Sequence, residues 1–139
     1  MMDDQRSMSE EVEKERKRES LEERLLEYAA ACIRSAERLP GSTAGRHVCG
    51  QLIRAGTAPM AHHGEAQGGE SADDFIHNMS IALKELRESE RWLQLIVRVP
   101  MLEDVGPLTK ILKESDELQR TFYASIQTAR LKSKRRPPL

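Results

Sequence analysis

His62 and His63, followed by Glu65, are the residues of this 139-residue sequence whose types and spacing most readily suggest chemistry. On a continuous helix His62 and Glu65 share a face, and an imidazole beside a carboxylate suits zinc or iron. His47 and Cys49 lie one segment earlier. Di-iron helical bundles, however, draw Glu-x-x-His from two helices plus two further Glu residues, and no Glu-x-x-His occurs in the chain. The favoured reading makes His62 and His63 polar substitutes at a kinked, partly exposed position, with no cofactor. A small metal-binding or enzymatic helical bundle built on His62, His63 and Glu65 stands as the alternative.

Covalent catalysis finds less support. The sequence has no Gly-x-Ser-x-Gly, no glycine-rich phosphate loop and no Asp-x-Asp cluster. Cys32 and Cys49 fall on apolar faces, where burial raises a thiol pKa and makes it inert, so both read as reduced core residues rather than a disulfide or a nucleophile. The chain is therefore expected not to be an enzyme.

Other residues point to contacts. Arg54 and Glu65, eleven positions apart, are spaced to brace a helix against a neighbouring helix or subunit. Gly56 suits a close helix crossing. Trp92, Leu95 and Val99 form an apolar face about a third of a turn from the main stripe of their helix. They are expected to meet a second subunit, the alternative being cover by the amino-terminal extension. Arg130, Lys132, Lys134, Arg135 and Arg136 form a basic tail with no acid among them, and residues 1–129 carry 17 bases against 23 acids. Such a tail could hold phosphates electrostatically, although a short basic terminus is more often a solvated end.

The elements that must position these residues are helical. Hydrophobic residues make up 38% of the chain and charged residues 32%, with five aromatics and few β-branched residues. Residues 1–18 are nearly all polar and read as a disordered or frayed extension, helical at most near Glu10–Glu19. Leu21, Leu25, Tyr28, Cys32, Ser35 and Leu39 then repeat at 4-3 spacing, with Leu26, Ala29, Ile33 and Ala36 widening that face. Pro40-Gly41 ends the segment. A second segment starts at Ser42 or Thr43 and runs to Gly68-Gly69, with Pro59 expected to kink or split it. Ser71-Ala-Asp-Asp74 signals a third helix, carrying Phe75, Met79, Ala82, Leu86, Ser89, Leu93 and Ile96 up to Pro100. The fourth runs from Glu103 or Pro107 to Arg130, on the stripe Leu108, Ile111, Ser115, Leu118, Phe122, Ser125 and Ala129.

The pattern predicts an all-α fold, an antiparallel up-down-up-down four-helix bundle over residues 19–131, with helix 2 kinked near Pro59 and a basic tail over 132–139. With no apolar run long enough for a membrane span and no signal peptide, a cytoplasmic location is expected.

In its central third the sequence resembles the four-helix bundle protein family associated with 23S rRNA intervening sequences. The matching positions are Arg54, Gly56, Thr57, Ala61, Glu65, Ala66 and Gln67; then Ser71, Asp74, Phe75, Ile76 and His77; then Ser80–Glu85; and finally Glu88, Trp92 and Leu93. The flanking helices extend the resemblance over roughly residues 20–131. It implies structural roles for Arg54, Gly56, Thr57, Glu65, Gln67, Asp74 and Phe75, a ring-like homopentamer, and no catalytic activity. The family is similar to the accessory protein of diversity-generating retroelements, which binds a reverse transcriptase and nucleic acid, so a nucleic acid or a nucleic-acid-handling protein is an implied partner. The chain departs from the family pattern at Ala58, Pro59, His62 and His63.

Overall fold

The computed structural model describes residues 2–134, with side chains described for residues 5–14 and 20–134. Among the described residues it is all-α, with no strand: α1 (Met2–Glu37), α2 (Thr43–Gln67), α3 (Ala72–Arg98) and α4 (Gly106–Lys134). None is long and apolar enough to cross a membrane.

The starts are set by short polar side chains. The Ser42 hydroxyl accepts the Gly45 N–H at 3.1 Å, and the Ser71 hydroxyl accepts the Asp74 N–H at 3.1 Å. Each satisfies an amide that has no partner inside its helix. Asp73 and Asp74 add negative charge to the positive end of α3. At α4 the Asp104 carboxylate accepts the Gly106 N–H at 2.9 Å.

Helix α2 packs between α1 and α3, and α3 packs on α4, while α1 and α4 meet more sparsely. Leu25, Leu52, Leu86, Leu93, Leu118 and Phe122 are all fully buried in one apolar core. Each such side chain is worth about 1.5–3 kcal/mol relative to leaving it in water.

Three features bear on the sequence-based expectation. Helix α1 is continuous from Met2, so the described part of the 1–18 segment is helical rather than disordered or frayed. Its charges of both signs are spaced for (i, i+4) support, as in the 3.8 Å pair of Arg6 and Glu10. Residues 5–14 are exposed. Helix α2 is not split at Pro59, whose ring is fully buried against the core. Apolar packing holds a helix that local propensity alone would break. Finally, Leu26 and Ile33 are exposed, so the core-facing stripe of α1 is narrower than expected.

Helix α4 continues to Lys134 and places Lys132 and Lys134 in its last turn, where cations complement the helix dipole. Arg135 and Arg136 lie outside the described residues.

Candidate functional site

The motif residues of α2 fall into two groups. Gly56 meets α1 so closely that a Cβ placed on it would lie 2.6 Å from Cys32 Cβ and 2.7 Å from its sulfur. Beside it, the Thr57 hydroxyl donates to the Ile53 carbonyl at 2.7 Å, one turn back. Desolvation in this contact pushes the Cys32 thiol pKa up to about 12, which makes it unreactive at neutral pH. Cys49 is also a free thiol, half-buried.

The second group faces α3. The Arg54 guanidinium donates to Glu85 Oε2 at 3.0 Å, to Gln51 Oε1 at 3.3 Å and to the Glu88 carboxylate. The Glu88 carboxylate also accepts the Trp92 indole N–H at 3.5 Å, and the His47 ring stands edge-on to the indole with centroids 5.8 Å apart. The hydrogen bond from Arg54 holds the Glu88 carboxyl below its ordinary range and raises the guanidinium pKa. Glu65, expected to share in a brace, is exposed. Phe75 is half-buried against the core and Asp74 is exposed at the start of α3.

The three residues of the metal reading diverge. His63 is buried with its ring 5.9 Å from that of Phe122, whereas His62 is half-buried and Glu65 exposed. His63 is thus a core residue rather than a polar substitute at a partly exposed position. Its Nε2 lies 3.4 Å from the Gln67 side-chain nitrogen, and burial lowers its pKa. Among the described residues no three His, Cys, Asp or Glu side chains come together to hold a metal ion.

A polar layer crosses the core. The buried Tyr28 hydroxyl lies 2.7 Å from Ser89 Oγ, which in turn donates to the Leu86 carbonyl at 2.8 Å. Ser115, fully buried, accepts from Gln119 at 3.1 Å, and Gln119 also donates to Glu90 at 2.7 Å. Desolvation raises the Tyr28 pKa. Periodicity alone places these hydroxyls in core stripes; that they meet depends on how four helices register.

Two surfaces remain open. Near the carboxyl end of α3, Leu95 is 40% and Val99 61% exposed, and Trp92 on the same side is half-buried. A shallow groove of about 560 Å³ runs from Leu95 and Arg98 to Leu112 of α4. Between α1 and α4 lies a groove of about 510 Å³ with Tyr28, Ala31, Ser35 and Ile111 in its lining and Arg34, Arg38 and Lys110 among its charges. Sequence reading missed this second groove, since no periodicity marks a seam that packs sparsely. At the far end of α4, Arg130, Lys132 and Lys134 are exposed.

Comparison with known proteins agrees with the family resemblance. The model of the 23S rRNA-intervening sequence protein family matches residues 20–124. Among solved structures, a protein of unknown function from the S23 ribosomal protein family of Bacteroides thetaiotaomicron is similar, with a TM-score of 0.72 and 28% identity over 80% of this chain and 98% of that one. Among curated proteins none matches.

Proposed function

Because this chain belongs to the 23S rRNA-intervening sequence protein family, we propose that it acts without catalysis, as an oligomeric adaptor in the cytoplasm that holds a protein or nucleic-acid partner. The observation that carries this reading is the apolar surface of Leu95 and Val99, left open beside Trp92. Contiguous apolar surface next to an aromatic, rimmed here by Arg91 and Arg98, is the composition of a protein interface rather than of a solvated face. The exposed cations Arg130, Lys132 and Lys134 at the end of α4 supply a phosphate-binding element, and Arg135 and Arg136 extend it in sequence.

The assembly we propose is a homopentamer, in which five such tails add their charge to one partner. Each protomer is then an antiparallel up-down-up-down bundle bent at Pro59. Short connections, and contacts such as Arg24 of α1 with Glu117 of α4 at 3.3 Å, support that arrangement. Native mass spectrometry, alone and then with a short structured RNA, tests the reading. Five chains of 15.8 kDa give about 79 kDa, and uptake of RNA that weakens when residues 130–139 are deleted supports the adaptor role. A monomer with stoichiometric bound metal overturns it.

A further inference from the structure

We propose that the amino-terminal part of α1 is a docking arm, which inserts Met8 and Val12 into the α1–α4 groove of a second copy of this chain. The proposal rests on the oligomeric reading above and names one joint of the assembly.

Met8 and Val12 lie one turn apart on α1 and are 66% and 54% exposed, and every described side chain around them between residues 5 and 14 is exposed as well. Two apolar anchors at (i, i+4) on an otherwise charged helix are what a groove-binding helix presents. The arm is acidic: residues 3–14 hold Asp3, Asp4, Glu10, Glu11 and Glu13 against Arg6 and Lys14. That charge opposes pairing of one arm with another.

The groove offers the complement. Its lining includes the apolar surface of Ala31, Pro107 and Ile111, and it carries three cations, Arg34, Arg38 and Lys110, against two carboxylates, Glu27 and Glu114. Glu27 is engaged by Arg34, and Glu114 by Arg24. Among the described residues Arg38 and Lys110 take part in no ion pair, so they are placed to receive acids that flank the anchors, such as Glu11 and Glu13. The arm cannot reach the groove of its own chain: both lie on one continuous helix, and Val12 stands about 33 Å from Arg34 along its axis at 1.5 Å per residue. The occupant is therefore a second copy. Because arm and groove are different surfaces, each copy gives one and receives one, a head-to-tail contact that closes into a ring when the rotation permits.

Sedimentation velocity over a concentration series tests this on the full chain. Met8→Asp with Val12→Asp removes the anchors, and Arg38→Glu with Lys110→Glu inverts the groove; all four positions are exposed, and circular dichroism confirms folding. Each pair is expected to weaken self-association at least about tenfold. Adding Glu11→Lys and Glu13→Lys to the inverted groove is expected to restore it. Association unchanged in either variant, or no recovery in the swap, overturns the arm while leaving an oligomer intact. A wild-type chain that stays monomeric throughout overturns the oligomeric reading itself.

Discussion

The α1–α2–α3 side of the molecule and the α1–α4 seam are built from similar residues to opposite effect. On the first, Gly56 lets α1 and α2 approach until no Cβ would fit, and Arg54 ties α2 to two carboxylates of α3. On the second, small residues such as Ala31 and Ser35 face Ile111 across space large enough to hold other side chains. A small residue closes a seam only where the opposing backbone moves in to meet it; where the helices stay apart, the same residue opens a groove. The closed side carries stability, and the open seam is the groove proposed above to receive a second copy.

The comparison breaks most readily at Gly56. Gly56→Leu must displace Cys32 or separate α1 from α2, and overpacking of this kind costs about 3 kcal/mol or more. The expected outcome is a chain that unfolds at least about 10 °C lower, or fails to fold, in a thermal melt. A midpoint and assembly mass equal to wild type would show that the approach is not constrained. Ser89→Ala comes next. It removes the hydroxyl that meets Tyr28 in the core, and a buried polar group stripped of a partner costs about 1–3 kcal/mol. Urea titration reads the difference as a shift in midpoint at unchanged slope.

The contrast between the two regions also marks how far the sequence could be read. Ser42 and Ser71 announce the starts of α2 and α3, because capping is a local event between residues three apart. The stripe from Met79 to Ile96 is buried as its spacing predicts, because period and burial are the same fact seen twice. Gly45 was not legible: a Cβ there would sit 1.8 Å from the Pro40 carbonyl oxygen, a clash that exists only once the turn through Gly41 folds back. Pro59 was legible only in part: its place inside the second helix is in the sequence, but the core contacts that bury its ring are carried by no local pattern. His63 reads as polar by type but is buried by its place on the helix. As for interfaces, the sequence marks Trp92, Leu95 and Val99, yet the α1–α4 groove and the outward Met8–Val12 face become visible only from the arrangement of the helices.

His63 turns the closed side into a pH-dependent one. Burial among Phe122 and the apolar core disfavours its charged form and lowers its pKa, with Glu22 of α1 acting in the other direction. A histidine whose folded pKa lies below its unfolded value binds a proton more readily when unfolded. The stability it lends is fully present above about pH 6.5 and is lost as pH falls toward its folded pKa. Thermal melts at pH 7.5 and pH 5 should show a decrease for the wild type that is smaller in His63→Gln. Equal pH dependence in the two chains would place the titration elsewhere.

The smallest expected effect sharpens the comparison furthest. Arg54 holds Glu88 below its ordinary carboxylate range, so the pair contributes above the unfolded carboxylate pKa and its contribution is lost as pH falls through the lowered one. Yet the Arg54 side chain is 49% exposed and that of Glu88 33% exposed, and water and salt screen such pairs. Arg54→Ala is therefore expected to cost only about 0.5 kcal/mol at neutral pH, less in high salt. The cations of the open seam are expected to differ in kind. Lys110→Glu with Arg38→Glu should leave the unfolding free energy of the isolated chain within about 0.5 kcal/mol of wild type, because these residues brace no neighbouring helix. A loss in that double variant larger than the loss at Arg54 would mean that the α1–α4 cations hold the fold as the α2–α3 clamp does, and that the groove is a packing defect. If stability is retained while self-association falls, the two seams have been divided by selection between holding one chain together and joining it to the next.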